Sequence, residues 1–252
     1  MAEADSSSGR VAQINSAVSV AVQTARPVVG LLALGEDRIV VGEIGAFFAK
    51  GDIEVLSTRV GMPSALTLEG FGSMGEAFRH GAASLSGRCS LMAVACASAA
   101  VAIGPARLSE IVEGGLPGTK AVEPITAYLE SLTERSVKRI ALVTPYAPDT
   151  HRALARLLQE RGIAVTAGFR LRVPAGHVPS DVVPASIYEA VSRAELGNVD
   201  ALVISCTALS TADLLADLEA RLGIPVVTTN RALAESITRR LVHFSPQDRT
   251  PP

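Results

Sequence analysis

Short apolar runs alternate with longer stretches of helical periodicity along most of the chain. The apolar runs are rich in small and β-branched residues, which favour strands, and the amphipathic stretches that follow them favour helices. This alternation predicts an α/β fold in which helices cover parallel sheets. The six main predicted strands are residues 27–34, 53–60, 90–98, 137–146, 163–173 and 201–209.

The order of these elements in the first half of the chain recurs in the second half. A short strand and a helix at 116–132 also recur, at 224–241. The repetition predicts two pseudo-symmetric parallel-sheet α/β lobes with an active-site cleft between them, because ligands of such sheets bind beyond the carboxyl ends of the strands. The predicted division is a flexible N-terminal extension at 1–25, a first lobe at 26–117 with the C-terminal helix 231–243, and a second lobe at 118–230.

Composition and charge exclude several classes of function. The 252 residues are 48% hydrophobic and carry a formal net charge of −2, without basic clusters mixed with aromatic residues, so binding to nucleic acid or to an anionic membrane surface is not expected. No apolar run reaches the roughly 18 residues of a membrane span, and the N-terminus lacks a secretory signal. Three cysteines without metal-ligand spacing predict a reduced, cytoplasmic protein that needs no metal or other cofactor.

Two of the cysteines occupy matching positions of the repeat. Cys96 and Cys206 each end a predicted strand ahead of small residues, whereas Cys89 has no counterpart and is assigned to structure. A thiol beside a helix N-terminus is expected to have a lowered pKa. Two opposed cysteines supply an acid and a base for moving a proton on carbon, or a nucleophile that adds to a C=C bond. The sequence leaves these two mechanisms open.

The neighbours of these cysteines suit contact with a small acid. Ala97 and Ser98 follow the first cysteine, and Thr207 and Ala208 follow the second, so backbone amides and two hydroxyl groups are available to a carboxylate. Other polar positions are less specific. Thr119 and Thr229 lie in mirrored loops near the predicted cleft, Asn230 fits either a helix cap or a substrate contact, and Arg59 is assigned to structure.

With these residues, the chain resembles the aspartate/glutamate racemase superfamily. The likeness covers residues 27–242 and is carried by "VACAS", "RIALVTPYAPDT", "ALVISCTAL" and "LGIPVVTTNRAL". It is strongest to the maleate cis-trans isomerase and ectoine-utilisation branch, with arylmalonate decarboxylase as a close relative. The resemblance implies a cofactor-independent enzyme with its active site between two similar halves, and it suggests a homodimer.

The resemblance also implies roles for particular residues. Cys96 would attack or deprotonate the substrate, Cys206 would donate a proton, and Tyr146 would bind a carboxylate. Ala97, Ser98, Thr207 and Ala208 would complete the pocket. Arylmalonate decarboxylases have glycine at the position of the first cysteine, so Cys96 favours an isomerase or racemase of a small carboxylic acid.

Three departures from the family pattern disfavour maleate itself as the substrate. Glu36 and Asp37 stand where the isomerases have an asparagine-containing loop, Ala97 replaces a common threonine, and Gly176 replaces a second asparagine. An amino acid, a ring amide or another small acid remains open. The alternative functions are a decarboxylase that uses Cys206 alone and a non-catalytic protein that binds a small acid.

Overall fold

The computed structural model describes residues 26–51, 53–85 and 89–241, so the predicted flexible extension at 1–25 lies outside the described residues. Within them, eight strands form two four-stranded parallel sheets, in the orders β2-β1-β3-β4 and β6-β5-β7-β8. The strands are β1 Val28–Leu34, β2 Glu54–Val60, β3 Leu91–Ala95, β4 Lys120–Val122, β5 Arg139–Thr144, β6 Ala164–Arg170, β7 Ala201–Ile204 and β8 Val226–Thr228.

Helices connect the strands and cover both sheets. The helices are α1 Val40–Phe47, α2 Leu68–Gly72, α3 Gly75–Ser84, α4 Ala97–Ile103, α5 Pro105–Gly115, α6 Pro124–Glu134, α7 Pro148–Glu160, α8 Pro184–Ser192, α9 Leu215–Leu222 and α10 Thr229–Leu241. In the part of the chain that the structure describes, none of them combines the length and the apolar character that spanning a bilayer requires.

The second sheet repeats the strand order of the first, which confirms the predicted fold of two similar α/β halves. The central strands β3 and β7 are buried along their whole length, because helices cover both of their faces. The edge strand β6 instead alternates between exposed and partly buried residues. Cys96 and Cys206 lie just beyond the carboxyl ends of the two equivalent central strands.

Several predicted elements are shorter than the sequence pattern suggested. The predicted helix over 68–85 is two helices that are separated at Ser73 and Met74. Inside α2, a Cβ at Gly70 would stand only 2.1 Å from the carbonyl oxygen of Ala65, so this position requires glycine. The predicted strand 90–98 ends at Ala95, where α4 soon begins. Gly104, with φ +94°, separates α4 from α5. The predicted strand 201–209 ends at Ile204 in a turn.

The two halves are not divided at the predicted boundary. Strand β4 hydrogen-bonds with β3, so residues 120–122 extend the first sheet, although the sequence-based division assigned them to the second lobe. Helix α10 packs against α1 and β3 of the first half, and also against α6. The α6–α10 contact carries a network of charged groups in which Glu130 accepts hydrogen bonds from Arg239 and Arg240 at 2.6–3.0 Å.

Candidate active site

One cavity of about 310 Å³ lies at the carboxyl ends of both sheets. The loops after β1, β3, β5, β6 and β7 line it, as expected for parallel α/β sheets. All of the site residues that the sequence predicted line this one cavity: Cys96, Ala97, Ser98, Tyr146, Cys206, Thr207 and Ala208. Cys89 does not line it and instead packs near Gly30 of β1. Among the described residues, no three His, Cys, Asp or Glu side chains are grouped so as to hold a metal ion.

Cys96 caps the N-terminus of α4. Its Sγ accepts a hydrogen bond from the backbone N–H of Ala99 at 3.4 Å, and its residue is only 4% exposed. Burial, with a smaller contribution from the charge of Asp37, raises the pKa of this thiol to about 12, while the amides of Ala99 and Ser98 oppose the shift. The expectation of a lowered pKa is therefore wrong, because desolvation outweighs the helix N-terminus.

Cys206 lies in a turn after β7 and is less buried than Cys96. Its backbone N–H donates to Thr229 Oγ1 at 2.8 Å. Burial raises the pKa of its thiol to about 12, against hydrogen bonds to the sulfur from the Ala208 amide and the Tyr146 hydroxyl. The next α-helix begins only at Leu215, so a helix N-terminus beside the second cysteine was a wrong expectation.

The two cysteine loops are joined directly. The hydroxyl of Thr207, expected to contact substrate, donates instead to the carbonyl oxygen of Ala95 at 3.1 Å. Asn230 does not itself line the cavity: its Nδ2 donates to the Thr207 carbonyl oxygen at 2.9 Å and to Glu43 Oε2 at 2.8 Å. Glu43 in turn accepts from the Thr211 backbone N–H at 2.8 Å. These bonds fix the second cysteine relative to the first.

Tyr146 contributes its hydroxyl group to the wall of the cavity. The hydroxyl lies 3.2 Å from Ser205 Oγ, and Arg170 Nε donates to the Tyr146 carbonyl oxygen at 2.8 Å. Burial and the neighbouring Cys206 raise the pKa of the phenol well above its ordinary value, so the hydroxyl stays a neutral donor. Tyr146 lines the cavity, and its contact with a carboxylate stays a prediction.

The sequence did not identify a second tyrosine beneath the site. Tyr128 of α6 is fully buried, and its hydroxyl shares hydrogen bonds with Thr229 and Ser205. Thr229 is the residue that holds the Cys206 amide, so Tyr128 supports the second cysteine from below. The only signal in the sequence was a tyrosine on the apolar face of a helix, which is usually a packing residue.

The loop after β1 places one acid at the surface and one inside. Glu36 is exposed, whereas Asp37 is only 4% exposed, and both line the cavity. Asp37 Oδ1 accepts from the backbone N–H groups of Ile39 at 2.9 Å and Val40 at 3.0 Å. Arg59 is structural, as predicted, because its guanidinium donates to main-chain carbonyl groups of this loop.

A loop of the second half covers the mouth of the cavity. Asp181 forms a salt bridge with Arg38, and Ser180 Oγ donates to the Glu36 carbonyl oxygen at 3.4 Å. Gly176 in this loop has φ +79°, a conformation that favours glycine, so the chain turns there.

Comparisons with known proteins agree with this geometry. The family model of arylmalonate decarboxylase matches residues 64–247. An arylmalonate decarboxylase from Bordetella bronchiseptica is 32% identical over 120 residues, which are 47% of this chain and 49% of that protein. A maleate isomerase from Geobacillus stearothermophilus is 25% identical over 162 residues, 61% of this chain and 64% of the relative. The aligned segments thus span about half to just under two thirds of these curated relatives.

Solved structures of a maleate isomerase share the fold over most of this chain. The Nocardia farcinica maleate cis-trans isomerase bound to TRIS superimposes with a TM-score of 0.75 at 25% identity, covering 86% of this chain and 92% of that one. A cysteine-to-serine mutant of that isomerase, with a covalently bound succinylcysteine intermediate, gives a TM-score of 0.76 at 24% identity, covering 86% and 94% of the two chains.

Proposed function

The chain belongs to the arylmalonate decarboxylase family, and within that family we propose that it is a cofactor-independent isomerase or racemase of a small carboxylic acid. The observation that carries the proposal is the pair of cysteines after two equivalent central strands, both lining one cavity. Cys96 and Cys206 would act as the base or nucleophile and the acid, respectively.

The surroundings of the two sulfur atoms support this division of roles. Cys96 Sγ accepts a hydrogen bond from the Ala99 amide at the start of α4, and the amides of Ala99 and Ser98 favour its thiolate over its thiol form. Cys206 faces the neutral hydroxyl of Tyr146 and keeps its proton up to high pH, as a general acid requires.

One thiol loses its proton to solvent when the substrate binds. In a racemase, the resulting thiolate takes a proton from the carbon next to the carboxylate, and the other thiol donates its proton to the opposite face of that carbon. In a cis-trans isomerase, the thiolate adds to one carbon of the C=C bond while the other thiol protonates the second carbon; after rotation about the new single bond, that proton returns to the second sulfur and the C–S bond breaks to release the isomer. Tyr146 and the amides beside Ser98 and Ala208 would hold the carboxylate, whose negative charge grows in an enediolate-like intermediate.

Single substitutions of the cysteines test the proposal. Wild type, Cys96→Ala and Cys206→Ala are incubated in D₂O with amino, hydroxy and unsaturated carboxylic acids, and NMR follows deuterium incorporation and cis-trans conversion. We expect turnover in the wild type and a loss of about 10³-fold or more in each variant, because both proton transfers are then interrupted. Cys89→Ala, outside the cavity, is the matched control and should remain active. Full activity in both cavity variants contradicts the proposal.

A decarboxylase is the second candidate, and the family description together with the 32% identity to the Bordetella enzyme favours it. Such an enzyme would need Cys206 alone to protonate the enediolate left by loss of carbon dioxide. Incubation with phenylmalonate, with carbon dioxide release as the readout, distinguishes the two candidates. A decarboxylase releases the gas, and Cys96→Gly does not slow it.

The raised pKa of both thiols is the observation that favours a third candidate, a non-catalytic protein that binds a small acid. The amides aimed at Cys96 Sγ and the hydroxyl aimed at Cys206 are the features that a mere binding protein does not require. Binding of small acids without any turnover, unchanged by either cysteine substitution, would establish this candidate.

A further inference from the structure

A buried carboxylate in the cavity wall has an oxygen that the fold does not satisfy. Asp37 lines the cavity beside the two cysteines, and both backbone donors that reach it, from Ile39 and Val40, bind Oδ1. Oδ2 is buried and has no hydrogen-bond partner among the described residues. A buried carboxylate oxygen without a partner is costly, so such an atom on a residue that lines a binding cavity indicates a donor that arrives with the ligand.

The neighbouring cationic side chains are engaged elsewhere. Arg59 donates to main-chain carbonyl groups, and Arg38 forms its salt bridge with Asp181. The residues that line the cavity include Glu36 and Asp37 but no lysine or arginine, and His177, which also lines it, has its Nδ1 3.4 Å from Asp181 Oδ2. A dicarboxylate would therefore bring two further negative charges to a wall that already carries negative charge and offers no fixed cation to offset them.

We infer that Asp37 receives an ammonium group, and that the substrate class of this site is a small carboxylic acid that carries an amino group. The inference rests on the proposed function and names its substrate class. The carboxylate of such a molecule would lie beside Ser98 and Ala208, its ammonium group would donate to Asp37 Oδ2, and its remainder would pack on Met62 and Phe71. A zwitterion places its carboxylate beside the amides and its ammonium group on Asp37 at the same time. The dicarboxylates for which the relatives are named have no ammonium group to place there.

The same contact would prepare the cysteines for reaction. The charge of Asp37 contributes to the raised pKa of both thiols. An ammonium group bound to Asp37 offsets that charge, so a thiolate forms more readily when the correct substrate is present. Binding and activation would thus be coupled through one carboxylate.

Three matched acids that differ in a single substituent test the inference. Phenylglycine, mandelate and phenylmalonate carry an ammonium, a hydroxyl and a second carboxylate on the same carbon, and alanine, lactate and methylmalonate form the smaller series. Their dissociation constants are measured by calorimetry for wild type, Asp37→Asn and Glu36→Gln. Asparagine keeps an Oδ1 acceptor for the two backbone donors, so the loop is expected to persist. Circular dichroism and thermal unfolding check the fold of each variant.

We expect the wild type to bind the ammonium acid of at least one series about tenfold or more tightly than the acid with a second carboxylate, and Asp37→Asn to abolish that preference. Glu36→Gln, which removes the exposed acid of the same loop, should shift the preference much less. Equal or tighter binding of the second carboxylate by the wild type, no measurable binding of any ammonium acid, or a preference that survives in Asp37→Asn would overturn the inference.

The test is separate from that of the proposed function. The binding preference is also measured in a Cys96→Ala, Cys206→Ala double variant, which lacks both proposed catalytic groups. If the preference depends on Asp37 but turnover does not depend on the cysteines, the proposed chemistry fails and the substrate class stands. If turnover requires both cysteines but the preference does not depend on Asp37, the reverse holds.

Discussion

The pH dependence of thiol alkylation tests the electrostatics of the cavity. Burial raises the pKa of Cys96 and of Cys206 from an ordinary 9.0 to about 12. At about pH 8, roughly one such thiol in 10⁴ is ionised, compared with about one in ten at the ordinary value, which is a decrease of about 10³ in thiolate. A thiolate of higher pKa is intrinsically about 20-fold more reactive over this range, so the net rate should be about 50-fold lower than for an exposed thiol.

Proteins with a single remaining thiol allow each rate to be measured. Cys89→Ser combined with Cys96→Ser leaves only Cys206, and Cys89→Ser combined with Cys206→Ser leaves only Cys96. Iodoacetamide is added between about pH 7 and pH 10, intact mass reports modification, and circular dichroism confirms that the protein stays folded. The unfolded protein in denaturant gives the reference rate of an exposed thiol.

We expect each rate to rise about tenfold per pH unit without reaching a plateau in this range, because both pKa values lie above it. Asp37→Asn should raise both rates by a smaller factor than unfolding does, since the charge of Asp37 is a lesser cause than burial. A plateau at or below about pH 9 for either cysteine would refute the reasoning, because it would mean that the amides outweigh desolvation.

Three further predictions concern residues that support the site. Thr207→Val should destabilise the protein by about 1–3 kcal/mol in denaturant titration, because the buried carbonyl group of Ala95 loses its donor; Thr207→Ser should restore most of this loss. Tyr128→Phe should lower kcat with little change in KM, because Thr229 then holds the second cysteine less firmly; an unchanged kcat would contradict this role. Burial opposes the lowered pKa of Glu130, but hydrogen bonds from two arginines and a serine of α10 set it to about 2, against an ordinary 4.5. The stability that this carboxylate provides is therefore present above about pH 4.5 and lost as the pH falls towards 2, and Glu130→Gln should flatten that part of the stability profile.

The repeated order of elements was sufficient to predict the fold. The apolar runs are either alternating or continuous, and a helical stretch follows each of them. This pattern leaves few arrangements other than parallel sheets with helices on both faces. The matching positions of Cys96 and Cys206 in that repeat then placed both residues at carboxyl ends of central strands. These inferences needed only local patterns and the general topology of α/β folds.

The ends of the elements and the partition of the chain were not predictable in the same way. Local propensity does not reveal that the helix over 68–85 breaks at Ser73 and Met74, or that Ala65 closely approaches Gly70. Strand β4 joins the first sheet because β3 offers a free edge, and α10 returns to the first half because its apolar face packs on α1 and β3. Both facts are long-range contacts, for which the sequence supplies no direct signal.

The sequence by itself determined which residue types stand at the site, and the tertiary structure decided what each of them can do. Cys96 and Tyr146 could be identified from the sequence alone, but the pKa of a thiol depends on how much of its contact with solvent is lost on folding. The Thr207 hydroxyl was available for substrate until the fold brought Ala95 within 3.1 Å of it. Asp37 was one of two adjacent acids until one was buried with an unsatisfied oxygen and the other was left in solvent. How deeply a residue is buried, and which group it hydrogen-bonds to, depend on residues that are distant along the chain. For that reason only the tertiary structure could decide them.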